Sequence, residues 1–264
     1  MPEGWWEMQT VRGITYHMYG EGPEAVLCHP SLGLGQFLFH RIRPALSREY
    51  TVVLWDPRGV GDNGHFYPTL EDWVGDTIDI LRDINKPAHL LGVSLGTWVM
   101  SRVAAVNPGQ LVRSLTLIGA TRGFSHGEQE IAARRQQLEH MTMREFAQNY
   151  ADNTLTVYAL PEVKENLVLE MGEVDKEKYL QAMQAIYTVR NEEVYRQIAV
   201  PTLVMVGVED TRTPPAEADE VQKLIKGSEV KALPRCGHLA VLDQPQRVIH
   251  ECRYFWTNGH MADD

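Results

Sequence analysis

Ser94 lies in Gly92-Val93-Ser94-Leu95-Gly96, between an apolar run at 88–93 and a helical pattern at 95–106. A Gly-x-Ser-x-Gly between a strand and a helix puts the serine on a sharp turn, with its hydroxyl projecting from the sheet. Such a turn crowds the backbone, so its flanks must lack bulk, and Gly92 and Gly96 supply that. A helix starting at Leu95 aims its first N–H groups at the hydroxyl and favours negative charge developing there. The chemistry this suits is nucleophilic attack by the serine oxygen.

Serine is a weak nucleophile without a base. A turn of this type takes its acid and its histidine later in the chain, in that order. Among the ten histidines, the late ones are His238, His250 and His260. His238 follows a strand pattern at 229–233, which places it in a loop at the carboxyl edge of the sheet, the edge of Ser94. His250 falls inside a helical pattern and His260 in the tail. The acid should follow the strand pattern at 202–206, in Gly207-Val208-Glu209-Asp210-Thr211-Arg212-Thr213-Pro214. Asp210 is preferred, because the turn resembles Gly-x-x-Asp leading into a Thr-Pro loop, with Glu209 as the fallback. Its task would be to fix the imidazole tautomer and stabilise the imidazolium. Two backbone N–H groups must hold the oxyanion. Leu95 supplies one. The other should come from the loop after the strand pattern at 25–28, where Pro30 has no N–H to give. Ser31 is the first choice, with Leu32 behind it.

These residues need a scaffold that brings distant loops to one edge. Strand and helix patterns alternate through most of the chain. A hairpin is expected at 10–11 and 14–19, a strand at 25–28, a helix at 37–46 disturbed by Pro44, and a strand at 51–55. A helix capped by Thr69 then runs to about Ile84, followed by strand 88–93, helix 95–106 and strand 112–118. Residues 122–196 break the alternation with helical segments at 128–140, 143–151, 163–170, 176–189 and 192–197. Alternation returns with 202–206, 216–225, 229–233 and 246–255. This order implies an α/β fold with parallel strands and right-handed crossovers. The expected organisation is a core of 1–121 and 197–264, with 122–196 as a helical cap over the sheet.

Composition agrees. The 264 residues carry 25 Lys+Arg against 35 Asp+Glu, a formal charge of −10, a poor balance for coating nucleic acid or anionic membrane. Three cysteines (Cys28, Cys236, Cys252) without a Cys-x-x-Cys argue against a disulfide framework or zinc site and fit a reducing compartment. Met1 to Glu7 has no basic stretch leading into an apolar one, and no apolar run has the length of a membrane span. The expectation is a cytoplasmic protein.

The chain resembles the α/β-hydrolase superfamily. The resemblance rests on five segments in order: His29-Pro30-Ser31-Leu32-Gly33, Asp56-Pro57-Arg58-Gly59-Val60-Gly61-Asp62-Asn63, the turn at Ser94, Asp210 with Pro214, and Gly237-His238 with Pro245. The first segment usually reads His-Gly where this chain has Pro30, and the second usually ends in serine where this chain has Asn63. That second segment reads as a structural loop near the site. Pro30-Ser31-Leu32-Gly33 and the stretch from Val206 to Pro214 look most like the 3-oxoadipate enol-lactonase and carboxylesterase branch. The resemblance implies a serine hydrolase with the triad Ser94, Asp210 and His238 and an oxyanion hole at Ser31 and Leu95. A serine in place of an elbow aspartate speaks against the dehalogenase and epoxide hydrolase branches.

The expected reaction is hydrolysis of a small ester or lactone through an acyl-enzyme. No metal or organic cofactor is implied, and the expected partner is the small-molecule substrate, with the chain as monomer or homodimer. Two other readings share these residues: a carbon–carbon bond hydrolase acting on a vinylogous diketone, and a non-catalytic small-molecule receptor. Cys28 and Cys236 read as small apolar residues, Trp98 as core, and Met141, Met143, Tyr150, Tyr158 and Tyr187 as packing of the cap. Arg122 reads as a solvated loop residue rather than a ligand for a substrate carboxylate. No direct role is assigned to His29.

Overall fold

The computed structural model describes residues 4–260. Met1 to Glu3, the start of the stretch read for a leader, and the last four residues of the expected core lie outside them. Among the described residues, eight strands form one sheet in the order β1-β2-β4-β3-β5-β6-β7-β8. They are β1 (Trp5–Gln9), β2 (Thr15–Tyr19), β3 (Ala25–His29), β4 (Thr51–Trp55), β5 (Ala88–Val93), β6 (Val112–Ile118), β7 (Thr202–Gly207) and β8 (Glu229–Leu233). From β4 to the β8 edge all pairings are parallel, while β1 and β2 run antiparallel. The central strands β3, β4 and β5 are buried along their whole length, as their unbroken apolar runs require when helices cover both faces.

The helices are α1 (Arg43–Leu46), α2 (Leu70–Ile84), α3 (Leu95–Val106), α4 (Gly127–Glu139), α5 (Met143–Thr154), α6 (Pro161–Gly172), α7 (Lys176–Tyr187), α8 (Glu192–Arg196), α9 (Pro215–Leu224), α10 (Ala240–Asp243) and α11 (Pro245–Asn258). Five of them, α4 to α8, lie between β6 and β7, and no strand intervenes among the described residues. The Thr69 hydroxyl accepts from the Asp72 N–H at 3.0 Å and caps α2 as expected, a contribution of about 1 kcal/mol. No helix among the described residues is long and apolar enough to cross a membrane.

Two local expectations fail. The first hairpin strand is not 10–11 but Trp5–Gln9, in register from Trp5 opposite Tyr19 to Gln9 opposite Thr15. Thr10 instead closes the turn: its carbonyl accepts from Gly13 N–H at 2.9 Å, and its hydroxyl accepts from Ile14 N–H at 3.2 Å. Every residue of β1 is exposed, so no apolar alternation marks it in the sequence. The helix expected at 37–46 is a 3₁₀ turn at Gln36–Phe39 and then α1, with Pro44 in the first turn of the second piece. Proline lacks an N–H and is accepted only there.

Because the central strands are parallel, their carboxyl ends share one edge. The loops after β3, β5, β6, β7 and β8 therefore converge, and open α/β sheets hold their ligands at this edge.

Candidate active site

β5 hands the chain to α3 through Ser94, which has φ 53° and ψ −112°. A serine in this region is strained, at a cost of order 1–3 kcal/mol. The turn persists because its surroundings hold it. Ser94 N–H donates to the Ile118 carbonyl at 2.8 Å, and Thr97 N–H and Oγ1 donate to the Ser94 carbonyl at 2.9 and 2.6 Å. The glycines meet a spatial need. A Cβ on Gly92 would lie 2.5 Å from the Gly96 carbonyl oxygen, and one on Gly96 would lie 2.1 Å from the His29 carbonyl oxygen. The start of α3 thus packs backbone to backbone on the loop after β3, which draws Leu95 and Ser31 to one place. Leu95 is the first residue of α3, where an N–H has no acceptor within the helix.

His238 follows β8 and is buried. Its Nδ1 lies 2.8 Å from Asp210 Oδ2. A carboxylate only accepts, so Nδ1 carries the proton and Nε2 is the lone-pair nitrogen. Nε2 is buried and has no hydrogen-bond partner among the described residues. Asp210 is buried as well. Its Oδ1 accepts from the N–H groups of Arg212 (2.8 Å) and Thr213 (2.9 Å), and its Oδ2 also accepts from Thr213 Oγ1 at 2.7 Å. Burial works against its charge, but the hydrogen bonds from His238 and Thr213 and the adjacent imidazole outweigh that. The carboxyl therefore sits below the usual carboxylate range. Glu209, one residue earlier, is exposed, and its N–H donates to the Cys236 carbonyl at 2.9 Å.

A cavity of about 260 Å³ opens at this point. Ser31, Ser94, Leu95 and His238 all line it. The five residues singled out from the sequence thus meet: four border the cavity and Asp210 sits behind His238.

The other residues weighed in the sequence fall partly where expected and partly not. Trp98 is buried as read, and it also borders the cavity. Tyr150 and Tyr187, read as packing, line the cavity too, with the Tyr150 hydroxyl 3.4 Å from Ser31 Oγ. Tyr158 is exposed and Met143 is buried. Arg122 is not free in solvent: its guanidinium and N–H hold Glu217 at 2.8–2.9 Å, and it reaches Glu220 at 3.3 Å. Cys28 and Cys236 are fully buried, and desolvation pushes both thiols up, which keeps them protonated and poor nucleophiles. His29 is fully buried with its pKa lowered to about 4 by desolvation, so it is neutral. Its Nδ1–H donates to the Pro30 carbonyl at 3.1 Å, which pins the loop that carries Ser31.

The Asp56–Asn63 loop is structural, as read. Asp56 accepts from the N–H groups of Gln36 (2.7 Å) and Asp62 (3.0 Å). Asn63 bonds both backbone groups of Thr15 and the Asp56 carbonyl, which the usual serine could not do at once. Arg58 grips the fully buried Asp76 with two hydrogen bonds, at 2.6 and 2.9 Å.

Sequence reasoning missed Asp243, Arg212 and Arg134. Asp243 accepts from Gly237 N–H at 2.8 Å and Thr156 N–H at 3.2 Å, while His238 N–H donates to the Thr154 carbonyl at 3.2 Å. The end of α5 and the His238 loop are thus tied together. Asp243 lies five residues after His238, and this short spacing is the one signal that could have flagged it. Arg212 and Arg134 also line the cavity. Nothing in the sequence pairs them.

A family model described as "Alpha/beta hydrolase family" matches residues 25–251. The chain belongs to the α/β-hydrolase family. A 3-oxoadipate enol-lactonase of Acinetobacter baylyi is 23% identical over 248 residues, covering 90% of this chain and 91% of the relative. A pimeloyl-(acyl-carrier protein) methyl ester esterase of Methylococcus capsulatus is 25% identical over 259 residues, covering 90% and 98%. The crystal structure of a bromoperoxidase from Bacillus anthracis superimposes with a TM-score of 0.85 at 15% identity, over 97% of this chain and all of the other. That last likeness speaks for the fold alone, since one fold hosts many chemistries.

Proposed function

We propose that this α/β hydrolase cleaves a small carboxylic ester or lactone with Ser94 as nucleophile. One observation carries the reading. A serine held in a strained strand-to-helix turn shares a cavity with an imidazole whose Nδ1 is tied to Asp210 and whose Nε2 has no hydrogen-bond partner among the described residues. His238 Nε2 takes the Ser94 proton as Oγ attacks the carbonyl carbon. The tetrahedral oxyanion is held by the N–H groups of Leu95 and Ser31, each worth about 3 kcal/mol in the transition state. His238 then protonates the leaving oxygen. In a lactone that oxygen stays on the acyl chain; in an open ester it departs as the alcohol. Water enters, His238 removes one of its protons as its oxygen bonds to the acyl carbon, and the imidazolium returns that proton to Ser94 Oγ as the acyl–serine bond breaks to release the acid. Asp210 stays ionised throughout and holds the imidazolium. Support comes from the geometry of these groups and from relatives whose names speak of lactone and methyl ester cleavage.

The test is Ser94→Ala assayed on a panel of short aryl esters and lactones, with circular dichroism to check the fold. The variant should keep its spectrum and lose turnover by about 10⁴-fold or more. A fluorophosphonate should label the wild type at Ser94 and leave the variant unmodified. Full esterase activity in the variant would reject the nucleophile.

A further inference from the structure

Two guanidinium groups face the same small cavity from different parts of the chain, Arg134 from α4 and Arg212 from the loop after β7. Neither has a carboxylate within salt-bridge distance among the described residues. Arg58 and Arg122, in contrast, are each committed to acidic side chains. Arg212 lies over the Tyr150 ring at 5.3 Å, with Nη2 3.5 Å from the Tyr187 hydroxyl. Arg134 lies over the Phe146 ring at 4.6 Å, donates from Nη1 to Gln137 at 2.7 Å, and leaves a buried Nε without a partner among the described residues. Tyr150, Tyr187 and Phe146 are themselves buried and both arginines are half-buried, so each cation rests against an aromatic wall and is only partly hydrated. Among the described residues, Glu130 is the one acid that borders the cavity, and it is exposed. The lining therefore carries one excess positive charge, not counting His238.

Half-burying two cations against aromatic walls without a salt-bridging carboxylate is costly, and a guanidinium presents a planar fork of donors that fits a carboxylate. We propose that Arg212 and Arg134 form an anion subsite, and that the substrate is an ester or lactone bearing a free carboxylate. One excess charge suits a single carboxylate at the subsite better than a phosphate dianion; the second carboxylate of glutarate, the probe below, would stand in place of the scissile ester. The inference rests on the hydrolytic reading above only for the words ester and lactone; the subsite stands on its own lining.

Glutarate is the probe. Isothermal titration should show glutarate binding to the wild type more tightly than its neutral dimethyl ester. Arg212→Gln and Arg134→Gln should each weaken glutarate by about tenfold, with Arg212→Lys recovering part of the loss. Monomethyl and dimethyl glutarate, followed by methanol release, then report on turnover: kcat/KM should favour the monoester in the wild type, and the preference should shrink in both glutamine variants, chiefly through KM. If Arg212→Gln fails to fold, Arg134→Gln decides. Equal binding of glutarate and its dimethyl ester by the wild type, or glutarate affinity unchanged in both variants, overturns the subsite. Turnover that persists in Ser94→Ala overturns the nucleophile instead and leaves glutarate binding intact, so the two failures are distinguishable.

Discussion

Asp210 shows how much one side chain can settle. Its two oxygens receive four hydrogen bonds, from the Arg212 and Thr213 N–H groups, the Thr213 hydroxyl and His238 Nδ1–H. An amide keeps one acceptor oxygen and adds an N–H₂ group. Placed toward the imidazole, that group drives the proton from Nδ1 to Nε2, and the base is lost with the geometry intact. Asp210→Asn should therefore lower kcat by about 10⁴-fold, while Glu209→Gln, on an exposed carboxylate, should leave kcat within about threefold. Stopped-flow or steady-state assays of both variants on one aryl ester test this, and the opposite ranking would exchange the two residues. The sequence preferred Asp210 on its turn pattern but kept Glu209 as a fallback, because neighbouring acids in a loop look alike until the backbone turns one inward.

The elements position the histidine from an unexpected side. Asp243, at the end of α10, accepts from the N–H groups of Gly237 and Thr156, and the Thr154 carbonyl accepts from His238 N–H. The segment after α5 and the loop after β8 are thereby fastened together beneath the imidazole. Asp243→Asn leaves a buried N–H without its charged acceptor, at a cost of about 1–3 kcal/mol. It should lower the urea midpoint and reduce kcat while KM moves little. A variant as active as the wild type at saturating substrate would reduce Asp243 to a structural brace. Gly96→Ala should be worse on both counts, since its Cβ would meet the His29 carbonyl at 2.1 Å; an unchanged melting temperature would contradict this. Elements with unmixed patterns were legible: β4, β5, β6, β8 and α3 fall at their expected residues. β1 was not, because an exposed edge strand carries no burial signal. The helix at 37–46 was not either, because apolar spacing does not reveal where Pro44 forces a new start.

At the scale of the molecule, burial of His29 couples the fold to pH. Its folded pKa of about 4 lies below the ordinary value of 6.5 because desolvation penalises the charged ring, and it packs edge-on against Trp55 and Trp73. The unfolded chain binds this proton first as pH falls. Stability from this residue is therefore fully present above about pH 6.5 and is lost progressively as pH drops toward 4. The loss should reach about 2 kcal/mol at pH 5. Urea unfolding of the wild type and His29→Gln at pH 7.5 and pH 5 checks it: the variant should show the shallower pH dependence, and parallel slopes would assign the effect elsewhere.

Sequence by itself determined the order of strands and helices, the turn at Ser94 and the loops after β7 and β8 as the sources of the acid and histidine proposed as its partners, because backbone propensity, apolar period and chain direction are local properties written in consecutive residues. Only the tertiary structure decided which acid faces His238, that Arg122 is spent on Glu217, and that Arg134 and Arg212 share a cavity. Those facts depend on which side chains from remote segments come within a few ångströms of each other, and no short-range pattern encodes that distance.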